Sequence, residues 1–338
     1  MIVAAGARLP FATASTMITE LSGITLGTKR IERSAEADGS AARDRQRAEA
    51  AASNLTALIN PCDPQPPAGG DKPDTMYIAI DGTGVPMVAA AVADRAGKDP
   101  DTGARTREVK LAAIFTQTNL DEHGRPVRDT ESTSYVGSFD PASRFGPLVA
   151  AEARRRGADH IRQQVVLGDG AVWIWKLATK HWPAATPIVD IYHARQHLHA
   201  LADRLQPHLG ADYPHWLEDR LADLDAGDIE TLVHTIETLL PDLPEPIATA
   251  TGKALPYFTG NAHRMRYAHF RDQGLFIGSG VIEAGCKTIV GARLKQSGMR
   301  WNIPGAGAIL TLRCHQASGR TDHIWAPPHN QRPTPASA

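Results

Sequence analysis

The sequence predicts an α/β protein in which a mixed β-sheet is flanked by helices, and three observations support this fold class. From residue 75 onward, apolar runs of strand length alternate with segments whose apolar residues recur at helical spacing. A long helical and acidic segment, residues 191–250, interrupts this alternation after the fifth strand. The proline- and glycine-rich stretch NPCDPQPPAGGDKPD, residues 60–74, separates all of this from a small helical region at the N-terminus.

The elements are predicted in order along the chain. The strands are MYIAID (76–81), REVKLAAIFTQT (107–118), STSYVGSF (132–139), QVVLGD (164–169) and TPIVD (186–190). The helical stretches outside the acidic segment are residues 142–157, 171–182, 257–273 and, as the last helix, 279–298. The chain is divided into an N-terminal helical region (1–59), a linker (60–74), a core in two parts (75–200 and 274–325), a helical insertion between them (201–273) and a disordered tail (326–338).

The N-terminal region is predicted to contain two short helices around a turn. The first spans residues 10–23, and the second restarts within residues 24–39 and ends on Gly39. This pattern matches a helix-turn-helix whose second helix carries three basic side chains, Lys29, Arg30 and Arg33. A plain pair of adjacent helices is the favoured interpretation, because two neighbouring helices are common in proteins.

Length and composition bound the functional class. The 338 residues suffice for about two domains, and no apolar run is long enough for a transmembrane helix. The first residues lack the basic and apolar segments of a signal peptide. Three distant cysteines, Cys62, Cys286 and Cys314, form no Cys-x-x-Cys pair, which argues against a zinc ribbon or disulfide framework and favours the cytoplasm.

Charge is distributed unevenly although the net charge is only −1. Residues 201–250 contain eleven acidic and two basic side chains, whereas residues 253–320 contain ten basic and two acidic ones. Such asymmetry is typical of a face that binds nucleic acid. An acidic subdomain beside a basic one, both simply solvated, is the alternative.

Two aspartates follow apolar strands, and each has glycine beside it. Asp81 precedes Gly82, and Asp169 lies between Gly168 and Gly170. If the two strands are neighbours, the carboxylates converge and repel each other unless a cation lies between them. Their hard oxygen atoms suit Mg²⁺ or Mn²⁺, and the glycines leave room for a phosphate. The alternative is that each Asp-Gly pair forms a turn.

Glu283 is the candidate for a third carboxylate ligand. It lies at the edge of the apolar stripe of the last predicted helix, with Lys287 one turn further on. A ligand on a helix that packs on the sheet needs such an edge position. A first-turn glutamate that only stabilises the helix N-terminus is the alternative.

Several segments together resemble the bacterial insertion-sequence transposases of the ISKra type. They are, in order, IAIDGTGVPM, REVKLAAIF, VVLGDGAVWIWKLA, IVDIYHARQHL, the long run 261–301 and GAGAILTLRC, so that the resemblance covers residues 75 to about 325. It implies a ribonuclease-H-like fold with an Asp-Asp-Glu triad of catalytic and metal-binding residues: Asp81, Asp169 and Glu283. It also implies two Mg²⁺ (or Mn²⁺) ions, a helical insertion before the last catalytic helix, and a longer N-terminal segment than the one present.

The resemblance and the charge pattern supply further candidates. Asp190 and His193 resemble an Asp-x-x-His element of related transposases and would support the triad, although an N-cap aspartate gives the same pattern. Seven basic residues are candidates for phosphate contacts: Arg264, Arg266, Arg271, Lys287, Arg293, Lys295 and Arg300. Core packing is the favoured interpretation of Trp173, Trp175, Trp301 and Cys286.

The predicted function is therefore a transposase that cuts and joins double-stranded DNA at element ends and target, as a homo-oligomer on nucleoid DNA in the cytoplasm. One alternative is an actin- or sugar-kinase-like phosphotransferase, in which IDGTG, LGDGA and GSGVIEAG contact the nucleotide. Another is a truncated DNA-binding relic without activity.

Overall fold

The computed structural model describes residues 1–59, 74–95 and 103–325. The predicted tail, Cys62 and all but the last residue of the predicted linker lie outside these residues. Among the described helices, none combines the length and the apolar character needed to cross a membrane.

A mixed sheet of six strands forms the centre of the fold. The strands are β1 (Thr75–Pro86), β2 (Thr106–Leu120), β3 (Pro126–Arg128), β4 (Ser134–Ser138), β5 (Gln163–Gly168) and β6 (Thr186–Val189). They are ordered β3-β2-β1-β5-β6, and β4 also pairs with β2. Pairs within β1–β4 are antiparallel, whereas β1, β5 and β6 are parallel to one another. This sheet, flanked by helices, confirms the predicted α/β class and is consistent with a ribonuclease-H-like fold.

The central strands are buried because helices cover the sheet. Residues 75–80 of β1 and 109–117 of β2 are all buried, as expected for strands that read as continuous apolar runs. Helix α4 (Ala142–Arg155) packs on β2 and β4, and α5 (Val172–His181) connects β5 to β6. The short strand β3 was not predicted, since PVR has neither an apolar run nor an alternating pattern.

Within residues 1–59, three helices precede the sheet: α1 (Ile2–Arg8), α2 (Phe11–Ser22) and α3 (Thr28–Ile59). Gly23 ends α2 in the left-handed conformation, at φ 67°. The prediction that the next helix ends on Gly39 is wrong, because α3 passes through Gly39 and ends at Ile59. A Cβ atom on Gly39 would collide with the backbone carbonyl of Ala308, so this glycine permits a close helix crossing rather than ending a helix.

The segment between β6 and residue 273 is helical throughout, apart from short turns and 3₁₀ segments. Its helices are α6 (Ile191–Leu209), α7 (Tyr213–Ala226), α8 (Ile229–Leu239), α9 (Glu245–Asn261) and α10 (Tyr267–Asp272). Helix α9 returns to the sheet, where the Tyr257 hydroxyl donates a hydrogen bond to the backbone carbonyl of Asp169 at 3.1 Å. The helical insertion thus reaches the end of β5.

The C-terminal helices differ from the prediction of one final helix over residues 279–298. The structure has α11 (Gly280–Gly285), a π-helical segment (Cys286–Gly291) and α12 (Ala292–Leu294). A further helix, α13 (Ile303–Ala317), follows and is buried along most of its length. Its sequence has no polar face, so the helical periodicity that reveals a surface helix is missing.

Candidate active site between β1 and β5

Asp81 lies within strand β1 rather than at its end, which corrects the sequence prediction. The antiparallel ladder with β2 continues past Asp81 to the pair Pro86–Thr106. On the other side, the parallel ladder with β5 stops at Ala79. At Asp81, strand β1 is therefore paired with β2 on one edge, while its pairing with β5 on the other edge has already ended.

Asp169 occupies the matching position beside β1. It follows Gly168, the last residue of β5, and Ala79 pairs with Leu167. The same register continued by two residues sets Asp169 level with Asp81. The two carboxylates are close enough for the charge of Asp169 to raise the pKa of Asp81. Asp169 Oδ1 also accepts a hydrogen bond from the backbone N–H of Ala171 at 2.8 Å, which fixes one of its oxygens.

The carboxylate of Asp81 is held in an environment that disfavours its charge. Burial raises the pKa of Asp81, and the nearby charge of Asp169 raises it further. Hydrogen bonds from the Gly82 N–H (2.6 Å) and the Cys286 thiol (3.4 Å) oppose this shift. Within the described part of the chain, no lysine or arginine forms an ion pair with Asp81 or Asp169. A cation between the two carboxylates would therefore be strongly favoured.

Asp190 and His193 form a hydrogen-bonded unit next to the two aspartates. Asp190 is 1% exposed and caps α6, with Oδ1 accepting the backbone N–H of His193 at 2.8 Å. Its other oxygen accepts the backbone N–H of Ser279. Burial raises the pKa of Asp190, but these hydrogen bonds outweigh that effect and lower it. Asp190 therefore joins the end of β6 to the loop before α11.

The His193 ring lies 3.3 Å from Asp190, measured from Nδ1 to Oδ1. Its pKa is raised mainly by this contact, and the charges of Asp169 and Asp81 add to the effect. The imidazole is thus oriented by one carboxylate and lies within the electrostatic reach of two others. Asp190 thus caps α6 and also contacts the His193 ring, while its support of the triad stays a prediction.

Glu283 is not joined to the two aspartates in this structure. Its Oε1 atom lies 2.7 Å from Lys287 Nζ, and both side chains are more than half exposed. Cys286, one turn further along the helix, contacts Asp81 instead. Over residues 1–59, 74–95 and 103–325, no group of three or more potential ligands is arranged to hold a metal. Asp81 and Asp169 have no ion-pair partner among the described lysines and arginines, whereas Glu283 is paired with Lys287.

Arg293, a candidate for phosphate contact, is fully buried. Its guanidinium donates to the backbone carbonyl of Gly6 and lies over the rings of Phe11 and Trp301, at 4.6 and 5.0 Å. DNA cannot contact this side chain, so Arg293 joins the N-terminal helices to the core. This corrects its proposed assignment.

Arg266 and Arg271 are bound to the acidic helices. Arg266 Nη1 lies 2.6 Å from a Glu230 carboxylate oxygen, and Arg271 Nη1 donates to the backbone carbonyl of Asp225 at 2.7 Å. Both arginines are therefore engaged in contacts between the basic and acidic segments. The sequence alone does not show this pairing, because the partners are 36 and 46 residues away.

Of the remaining basic candidates, Lys295 and Arg300 are exposed and Arg264 is half-buried. Lys295 contacts the hydroxyl of Thr83, two residues after Asp81. Arg264 stacks on the ring of Trp175 at 4.7 Å, and Arg300 is exposed. Lys295 thus lies near Asp81, and Arg264 lies against the helix that follows Asp169.

The sequence interpretation missed several residues around Asp169. Lys176 and Lys180 are exposed on α5, the helix that begins just after Asp169. The ring of Tyr257 stacks on His197 at 3.7 Å. The lysine pair had a detectable signal, since two lysines four residues apart share one helix face. The Tyr257 contact had none, because it joins distant segments.

The tryptophans and Cys286 agree with the core interpretation in most respects. Trp175 and Trp301 are 6% and 7% exposed, whereas Trp173 is half-buried with Lys110 over its ring. Burial raises the pKa of the Cys286 thiol, which keeps it protonated and unsuited to act as a nucleophile.

Comparisons with known proteins give little direct information. No protein-family model and no curated protein matches the chain. A solved structure, the Drosophila P element transposase strand transfer complex, is similar with a TM-score of 0.38 and 13% identity, covering 76% of this chain and 80% of that chain.

Proposed function

We propose that the chain is a DNA transposase of the ISKra insertion-sequence type, which cuts and joins DNA strands through metal-dependent hydrolysis and transesterification. The observation that carries this proposal is the register of β1 and β5. This pairing ends two residues before Asp81 and Asp169, whose charges interact and which no described lysine or arginine neutralises.

Each residue has a distinct task in this reaction. Asp81 and Asp169 hold the divalent cations, and Glu283 completes the site after exchanging its contact with Lys287. When bound, Mg²⁺ or Mn²⁺ supplies activation of the attacking oxygen and charge stabilisation on the leaving oxygen. His193, oriented by Asp190, donates a hydrogen bond to the phosphate, and the released Lys287 provides a further positive charge beside it.

Double-stranded DNA is the proposed partner, both as element end and as target, with a homo-oligomer assembled on it in the cytoplasm. Phosphate contacts are assigned to exposed cations near the strand ends, such as Lys295 and Arg300. These contacts position DNA without reading its sequence.

A sugar-kinase-like function is less well supported. That function needs IDGTG to form a phosphate-binding turn between the first two strands. Residues 82–86 instead stay paired with β2, so the motif is part of a strand. An inactive DNA-binding relic would keep the fold but not the cleavage.

The test is Mg²⁺-dependent nicking of duplex DNA that carries the element's own ends. Asp169→Asn keeps the size and turn-forming capacity of the side chain but removes its charge, so cleavage is expected to fall below detection. Asp219→Asn, at an exposed position of α7, is the matched control and is expected to cut like the parent protein. Cleavage by Asp169→Asn at the parent rate would refute the proposed function.

A further inference from the structure

A cavity of about 510 Å³ lies beside the candidate site, between α5 and α9. Gly170, the residue after Asp169, forms part of its wall. Trp175 and Lys180 line it from α5, and Pro256 lines it from α9. Its volume is within the range of small-ligand sites in proteins.

Two hydrogen-bond donors at this cavity lack partners within the described residues. Trp175 is 6% exposed, and its indole N–H is buried without an acceptor. Arg264 also lines the cavity, and its Nε–H is likewise buried without an acceptor. Buried donors are nearly always satisfied by protein, water or ligand. The pair therefore indicates a ligand that presents acceptor oxygens or nitrogens.

The charge of the cavity wall is positive. Lys176, Lys180 and Arg264 line it, and no aspartate or glutamate does so among its described lining residues. Apolar surface from Val172 and Pro256 completes the wall. A ligand that suits this combination has an anionic group, acceptor atoms and a flat apolar part.

We propose that the cavity binds one unpaired nucleotide of the DNA strand next to the phosphate held at Asp169. Its phosphate lies at Lys176 and Lys180, and its base accepts hydrogen bonds from Trp175 and Arg264. The inference rests on the proposed function, because the wall continues directly from Asp169 through Gly170. Basic side chains beside an aromatic ring are the usual means of holding unpaired nucleotides.

The test compares Trp175→Phe with the parent protein in binding a short labelled single-stranded oligonucleotide and the duplex of the same sequence, without metal. Phenylalanine keeps an aromatic ring but removes the N–H. Single-strand affinity is expected to fall about five- to tenfold, with duplex affinity within twofold of the parent value. The melting temperature is expected to stay unchanged or rise, because an unsatisfied donor is lost.

Trp216→Phe is the matched control. Trp216 also has a buried, unpartnered indole N–H within the described residues and lies near an arginine, Arg220, at 5.8 Å, but it is on α7, away from the cavity. This variant is expected to bind single strands like the parent protein. An equal loss in both tryptophan variants, or no loss in Trp175→Phe, would overturn the inference.

Two further results separate this inference from the proposed function. If a deoxynucleoside monophosphate binds as tightly as the oligonucleotide and depends on Trp175, the cavity takes a free nucleotide and the strand-binding inference fails. If Trp175→Phe weakens single-strand binding while the parent protein cuts no DNA, the cavity inference holds and the proposed cleavage fails.

Discussion

At the scale of single residues, the negative charge on Asp81 destabilises the fold, and a bound cation would remove this destabilisation. Its pKa is raised above the value in the unfolded chain, so ionisation at pH 7 destabilises the fold. Asp81→Asn is therefore expected to raise the melting temperature measured without metal. Mg²⁺ or Mn²⁺ is expected to raise the melting temperature of the parent protein but not that of the variant. At a metal concentration of a hundred times Kd, binding adds about 2.7 kcal/mol to the free energy of unfolding.

The control for this measurement is Asp219→Asn, which neutralises an exposed carboxylate. Its melting temperature should remain near that of the parent protein and should rise with metal to the same extent. An equal rise of the Asp81→Asn variant with metal would exclude Asp81 as a ligand.

Glu283 provides a separate prediction, because its ion pair with Lys287 is exposed. Such pairs contribute about 0–1 kcal/mol to stability, so Glu283→Gln is expected to leave the unfolding free energy almost unchanged. DNA cleavage is nevertheless expected to fall below detection if Glu283 completes the metal site. Both quantities are measured by urea unfolding and the nicking assay.

Lys287→Gln removes the same ion pair from its other side and is the matched variant. Both substitutions should then have equally small effects on stability, while only Glu283→Gln abolishes cleavage. Cleavage by Glu283→Gln at the parent rate would exclude Glu283 from the metal site.

At the scale of elements, the crossing of α3 and α13 depends on Gly39. A methyl group there meets the backbone of Ala308, which cannot rotate away as a side chain can. Gly39→Ala is expected to destabilise the protein by about 1–3 kcal/mol, because the two helices must move apart. Equilibrium unfolding in urea measures this loss.

Gly252→Ala is the matched control, since Gly252 lies inside α9 with nothing near its added methyl group. It is expected to stabilise the protein by roughly 0.5–1 kcal/mol, the usual gain for alanine over glycine in a helix. If Gly39→Ala behaves like Gly252→Ala, the close crossing does not exist in solution.

These elements also show how far the sequence could predict the structure. Strands with continuous apolar runs, such as β1 and β5, were predicted because burial on both faces leaves that pattern. The predicted helix end at Gly39 and the predicted strand end at Asp81 were wrong. Glycine also marks places where two backbone segments approach closely, and not only the ends of helices and strands. Helix α13 was missed because an entirely buried helix has no polar face.

The candidate site was predictable to a similar degree. Asp81 and Asp169 were selected as candidate ligands because each follows an apolar strand and has glycine beside it. The contact of Glu283 with Lys287 follows from their i,i+4 spacing, whereas the burial of Arg293 and the cavity at Trp175 depend on packing between distant segments. No local pattern encodes such contacts.

At the scale of the whole molecule, the acidic and basic segments partly neutralise each other. Arg266 pairs with Glu230, and Arg271 contacts the backbone of Asp225. The positive segment therefore offers DNA fewer free cations than its composition suggests. The exposed Lys176 and Lys180 near Asp169 lie outside that segment and add two cations to those that remain free for DNA.

This redistribution predicts which cations set the salt dependence of DNA binding. Each phosphate contact to single-stranded DNA contributes about 0.7 to the slope of log affinity against log salt, because binding releases counterions. The double variant Lys176→Gln/Lys180→Gln is expected to lower that slope by about 0.7, the contribution of the one phosphate that the two lysines share. Anisotropy titrations of a labelled single strand over a series of salt concentrations give the slope directly.

Arg266→Gln is the comparison that makes this prediction specific to position. It also removes one positive charge, but from a side chain already paired with Glu230, so its slope should equal that of the parent protein. If net charge alone set the salt dependence, Arg266→Gln would also lower the slope, by half as much as the lysine double variant, because it removes one positive charge instead of two. A slope that falls with Arg266→Gln but not with the lysine variant would place the bound strand on the acidic helices' side of the molecule, away from Asp169.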